Sequence, residues 1–269
     1  MLGNTVEKLG KPPVVEAWIE FRFAVGEESP EWDAALAEAF LRRNFGESFK
    51  VNSYVGHTEF TVEPGKGGPS LREAKVLLER ARAANQAEDR YVQVGRDVLI
   101  YNLLRKQDVW PEYSVLLREA MEAYGKYVAD VRPKALLRTA LHYRDVVSIP
   151  FGTGSDIDLG EYLSIYPEVP RDRFGPVTSF LMMFTLPLNS RSGILNLVIR
   201  NEPMAVGADG KPIPGARFRM DWHLTTDGIR STDPVPVQDW LDSAHRDILK
   251  AFRNGFTEKG WALFDPKEG

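Results

Sequence analysis

Apolar and polar positions alternate along VVEAWIEFRFAV, where Val15, Ala17, Ile19, Phe21 and Phe23 share one face and Glu16, Glu20 and Arg22 the other. A period of two marks a strand with one face buried. Pro12-Pro13 opens it and the run from Gly26 to Ser29 breaks it. Ser29 is placed to cap, and Pro30 to begin, a helix over PEWDAALAEAFLRRNF with Trp32, Leu36 and Phe40 on its inner face. FKVNSYVGHTEFTVEP alternates again, and PGKGGPS reads as a surface loop. Residues 71–86, LREAKVLLERARAANQ, stay open between helix and strand: Ala, Leu, Arg and Glu favour helix, but both flanks pattern as sheet. RYVQVGRDVLIYNLL splits at Gly95-Arg96-Asp97 into a hairpin.

The stretch 110–150 carries the plan of the chain. WPEYSVLLREAMEAYGKYV sets Tyr113, Leu116, Leu117, Ala120, Tyr124, Tyr127 and Val128 at three-and-four spacing, an amphipathic helix that Gly125 weakens near its end. Asp130 to Pro133 breaks it, and KALLRTALHYRDVVSIP returns to alternation, with Leu137, Thr139, Leu141 and Tyr143 against Arg138, His142 and Arg144. In FGTGSDID, Asp156 or Asp158 caps a short helix through Leu159, Tyr162 and Leu163 that Pro167 and Pro170 terminate. VTSFLMMFTLPL and ILNLVIRN are strands joined by a turn, and the Gly/Pro loop EPMAVGADGKPIPGA separates them from the strand RFRMDWHLTTDG. A last helix over 237–253 buries Trp240, Leu241, Ala244, Ile248 and Phe252, and the tail docks through Trp261 and Phe264.

In order, these elements run strand, helix, several strands, long helix, and then strand, short helix, three strands, long helix. Matching elements lie about 120 to 130 residues apart, the signature of an internal repeat. The expected fold is α+β: duplicated β-α-β-β-β-α units, 1–132 and 133–269, packed as one globular body. Their curved, mostly antiparallel sheet is covered by long helices on one face, as in TATA-binding-protein-like or helix-grip architectures.

Composition narrows the function classes. With 43% hydrophobic and 27% charged residues the chain matches globular usage, and its net charge of −4 argues against a surface built chiefly for phosphate. The absence of cysteine removes disulfides, thiolate metal sites and cysteine nucleophiles. The N-terminus lacks the pattern of a secretory signal, and the densest apolar patch, 180–188, is far too short to span a membrane. A cytoplasmic protein is the expectation.

No catalytic constellation stands out, and no cofactor or metal set is expected. Asp221 and His223 share a strand face, but two ligands do not make a metal site. Asp156 and Asp158 with Glu161 resemble a Mg²⁺ pair less than a helix cap. His245 lies beside the apolar face of the last helix, where a hydrogen bond to a neighbouring strand would hold it. The first site to consider is Arg138, His142, Arg144, Arg217, Arg219 and His223, which alternate on two strands. If those strands are neighbours, one sheet face carries a cationic patch for a carboxylate, phosphate or nucleic-acid backbone, unless Glu16, Glu20 and Asp221 pair with it across the sheet.

The segments KLGKPPVVEAWIEFRF, YVQVGRDVLIYNLL, VWPEYSVLL, RTALHYRDVVSIP and LDSAHRDILKAF resemble a sporadically distributed bacterial protein family of unknown function that opens with a Pro-Pro-x-x-Glu-Ala strand. The central strand of that family reads Arg-Tyr-x-Asn before Ile-x-Pro. Here His142, Tyr143, Arg144 and Asp145 precede Ile149-Pro150, so two polar positions depart from the pattern. The resemblance implies patchy inheritance of the genomic-island or defence-associated kind and names no catalytic residue. Three readings follow: a non-catalytic binding or accessory protein acting through a protein partner, with a homodimer as one arrangement; an anionic-ligand binder or enzyme with an Arg/His-lined pocket; or nucleic-acid binding through the exposed sheet face.

Overall fold

The computed structural model describes residues 8–26, 32–65, 68–106, 112–150, 158–166, 180–188, 193–202 and 215–267, with backbone only at 8, 57, 59–65, 68–77, 150 and 215. In chain order its elements are β1 (Lys8–Leu9), β2 (Val14–Ala24), α1 (Ala34–Phe45), β3 (Phe49–Gly65), β4 (Gly68–Asn85), β5 (Arg90–Gly95), β6 (Val98–Leu104), α2 (Tyr113–Val131), β7 (Ala135–Pro150), β8 (Leu181–Leu188), β9 (Gly193–Asn201), β10 (Gly215–Thr226), α3 (Pro234–Asn254), α4 (Glu258–Trp261) and β11 (Pro266–Lys267). Nine of the strands form one sheet in the order β3-β4-β5-β6-β2-β7-β10-β9-β8, antiparallel at every pairing. The terminal strands β1 and β11 pair with each other.

β2 and β7 meet at the centre, with Ala17 opposite Tyr143, Ile19 opposite Leu141 and Phe21 opposite Thr139. Those residues, Leu99, Tyr101 and Leu103 of β6, and Met220, Trp222 and Leu224 of β10 are buried on one face. α2 packs on β2 and β6, α3 on β7 and β10, and α1 on β3, β4 and β5. Each large aliphatic or aromatic side chain so buried stabilises the fold by about 1.5–3 kcal/mol before chain entropy is subtracted.

Polar ties fix how α2 sits. The Tyr124 hydroxyl donates to the Thr232 carbonyl at 3.0 Å, and that of Tyr127 to the Arg96 carbonyl at 2.6 Å in the β5–β6 turn. Glu119 accepts from Tyr101 at 2.9 Å and from Arg90 at 2.8 Å. Gly95 in the same turn is required, because a Cβ there would lie 2.0 Å from the Glu79 carbonyl oxygen.

Several expectations change. Residues 71–86 belong almost entirely to strand β4, because ladders to β3 and β5 on its two sides override the helical propensity of Ala, Leu and Glu. The β3–β4 hairpin also runs through the Pro/Gly segment, with Pro64 opposite Pro69. α1 begins at Ala34 with Asp33 as its cap, and it buries Ala37, Phe40 and Leu41 while Leu36 is exposed. Ser29 and Pro30 lie outside the described residues. The short helix after Asp158 is a single 3₁₀ turn, Leu159–Glu161, with the Asp158 carboxylate accepting from Gly160 N–H; Asp156, Pro167 and Pro170 lie outside the described residues. A register shift between Arg22 and Phe23 turns Leu136 into the core and Leu137 out of it. Among the described residues the first half has four strands between its two helices, and the second has three strands after a 3₁₀ turn.

Gly125 is exposed on α2 with nothing within 4 Å of where its Cβ would sit. Gly125→Ala is expected to stabilise the protein by about 1 kcal/mol, read as a higher urea midpoint at an unchanged m-value.

Candidate functional site

β7 and β10 are neighbours, so the six polar candidates do share the sheet face opposite the helices. His142 stands directly across from His223, and Arg144 across from Asp221. Arg219 and Arg217 follow toward one end of β10. Arg138 sits at the other end of β7, where its guanidinium pairs with exposed Asp227 at 3.3 Å. The cluster thus holds His142, Arg144, Arg219 and His223 together, and Arg138 apart.

The charges in this cluster are already answered. Arg144 donates to Glu16 at 2.6 Å and to Asp221 at 2.9 Å, and Arg219 donates to the other Asp221 oxygen at 2.8 Å and pairs with Glu202 at 3.4 Å. On the far side of Glu16 the chain of bonds continues. Asn102 donates to Glu16 at 3.0 Å, Gln93 to Asn102 at 3.2 Å and Arg80 to Gln93 at 3.0 Å. One polar ribbon therefore crosses β4, β5, β6, β2, β7 and β10. Two neutral amides, Gln93 and Asn102, link Arg80 to a run of alternating sign from Glu16 through Arg144, Asp221 and Arg219 to Glu202, which satisfies buried polar groups without leaving excess charge.

Trp18 on β2 supplies the aromatic part. Its ring stacks on His142 with centroids 4.6 Å apart and planes 4° from parallel, and the Arg144 guanidinium lies 5.4 Å from its centre. The Nδ1 atoms of His142 and His223 face each other at 2.5 Å. Burial pushes His142 well below the ordinary histidine value, and its neighbour His223 pushes the same way; His223 is lowered mainly by burial. Both rings are uncharged at neutral pH, so one donates to the other. The Asp221 oxygens that a metal would need are taken by Arg144 and Arg219.

On the helix side, two residues carry unusual chemistry. Asp145 is wholly buried and accepts from the Trp222 indole N–H at 2.9 Å; its other oxygen has no hydrogen-bond partner, and burial raises its carboxyl to about 7. His245 on α3 bonds the Tyr143 hydroxyl at 2.9 Å and stacks on Tyr113, and burial lowers it to about 4. The hydrogen bond from this boundary histidine reaches β7, the seam strand.

The least satisfied surface lies elsewhere, at β8. Leu181 and Met183 are 63% and 72% exposed, with Leu186 and neighbouring Ile194 also exposed. Beside them Ser164, Ile165, Tyr166, Met182, Met183 and Phe184 line an open cleft of about 540 Å³. β8 ends the sheet, and among the described residues no strand pairs with its outer side. The signal was present in the sequence as the dense uncharged run 180–188; its shortness excluded a membrane span, but nothing local marked it as an edge. Trp18, Gln93 and Asn102 were hidden for a similar reason, since their partners are remote in the chain. Comparison with protein-family descriptions, with curated proteins and with solved structures finds no match to this chain.

Two outcomes test this description. Removing Arg144 leaves Glu16 and the nearly buried Asp221 without their shared cation, so Arg144→Met is expected to cost about 2 kcal/mol by urea unfolding. Asp145 ionises near 3.8 when unfolded and near 7 when folded. The native state thus holds a proton that the unfolded chain has lost, and stability falls as pH rises across that interval. Asp145→Asn keeps an acceptor for Trp222 and removes this loss. Its advantage over wild type in thermal melts is expected to grow from pH 5 to pH 8 by about 3 kcal/mol.

Proposed function

We propose that this is a non-catalytic binding or accessory protein that acts by engaging a protein partner, and that β8 with its adjoining cleft is where it does so. The observation that carries the reading is an edge strand whose exposed side chains are apolar apart from Thr185 and whose run 180–188 contains no charge. Exposed edges that stay unpaired are ordinarily blunted by charge, proline or bulges, and of these β8 has only Pro187, next to its last residue. The opposite edge, β3, follows that rule, with Lys50, Glu59 and Glu63 in its sequence and three register shifts in its ladder.

The polar ribbon favours this reading over anion or nucleic-acid binding. Arg144 and Arg219 are committed to carboxylates, and an incoming phosphate would have to displace Glu16, Asp221 and Glu202. We also infer that the two halves are a duplicated unit of TATA-binding-protein-like or helix-grip kind. Supporting this, each half places its first strand of the nine-stranded sheet at the centre, β2 or β7, beside the strand that precedes its long helix, β6 or β10. A shift of about 120 residues carries β2, β6 and α2 onto β7, β10 and α3. The genomic-island or defence setting comes from the family resemblance alone.

A photo-crosslinking amino acid at position 183, compared with one at exposed Arg118 on α2, tests the site in cells of the source organism. Adducts above the mass of one chain are expected at 183 and not at 118. Equal yields at both positions, or none, would count against a partner on β8.

A further inference from the structure

We propose that the partner on β8 is a second copy of this chain, paired antiparallel through a two-fold axis so that two nine-stranded sheets become one. The inference rests on the partner-binding reading above and names the occupant. Strand order says what shape is missing. Counting outward from the centre, β4 in the first half and β8 in the second hold the same place, each fourth from the β2–β7 ladder. β4 is covered by β3; β8 has no counterpart of β3 among the described residues. Among the described residues the position beyond β8 is therefore open and strand-shaped, with backbone groups along that edge for a pairing strand to meet.

Chemistry then selects which strand. The run FLMMFTLPL has no charged side chain with which to recognise a charged peptide. An uncharged apolar edge strand of matching length is present in every copy, namely β8 itself, and a two-fold contact requires a patch that complements itself. Antiparallel pairing about Phe184 keeps like faces together. It sets Leu186 of each copy opposite Met182 of the other, over the apolar cleft, and Met183 opposite Thr185 on the other face. The alternative pairing of β8 with β3 of the next copy would not close and would grow into filaments; the charges and bulges of β3 oppose it.

Because the chain has no cysteine, introduced thiols report the register directly. Sedimentation is expected to give a particle of twice 30.3 kDa. Met183→Lys, at a side chain 72% exposed and so free to change without unfolding the monomer, is expected to keep the melting profile of an intact fold. It should weaken dimerisation about a hundredfold, or tenfold per copy. Mixing Met183→Cys chains with Thr185→Cys chains under mild oxidation is expected to give a mixed disulfide, whereas Met183→Cys with Arg118→Cys gives none. A wild-type chain that sediments as a monomer, or a dimer that Met183→Lys leaves intact, overturns the proposal. If the wild type is monomeric yet position 183 still crosslinks a different protein, the partner reading stands and the second copy is excluded.

Discussion

The ladder between β2 and β7 is the contact on which the rest of the molecule depends. It joins the two halves within one sheet, and its register decides which residues meet on each face. Ile19 opposite Leu141 fixes the core beneath α2 and α3, and the same register sets Trp18 beside His142 and Glu16 beside Arg144 on the other side. Because side chains alternate with period two, a slip of one residue would exchange the two faces completely. Burial of Phe21, Leu141 and Tyr143 on one side and ion pairing on the other therefore enforce the same alignment. The stretch first legible as a helix followed by a strand is the joint of the fold.

The sheet treats its polar face and its outer edge in opposite ways. Across the polar face, every bond from Arg80 to Glu202 answers another group of the same chain, so the ribbon specifies register more than it offers charge. Such a network costs desolvation to assemble, and its stability comes from completeness, since a half-satisfied member would be worse than an apolar one. At β8 nothing in the described chain answers the exposed leucine and methionine side chains. The two regions therefore differ in kind: one is answered within the chain, the other is exposed and apolar among the described residues.

Local pattern carried the elements whose faces differ sharply in polarity. Alternation marked β2 and β7, three-and-four spacing marked α2 and α3, and Gly95-Arg96-Asp97 marked the β5–β6 hairpin. It left open, or misplaced by one residue, the places where a neighbour outweighed local pattern. Ala81 and Ala83 are in a strand because β3 and β5 flank them, and Leu136 replaces Leu137 in the core because a bulge shifts the ladder. The candidate cluster was half legible: period two put Arg144 and His142 on one face, yet the pairing of Arg144 with Glu16 and Asp221 and the contact of His142 with His223 needed strands far apart in sequence.

By itself, the sequence determined the sheet-and-helix composition, the absence of cysteine chemistry, the near-neutral charge and the apolar face of each element, because these follow from residue type and spacing over a few turns or pleats. Tertiary structure alone decided strand order, and with it two structural facts. Arg144 of β7 and Arg219 of β10 became members of an ion-paired ribbon, and the uncharged run 180–188 became an edge of the described sheet. Both depend on which strands are neighbours, a property set by burial of the whole sheet against its helices and written in no local stretch of the chain.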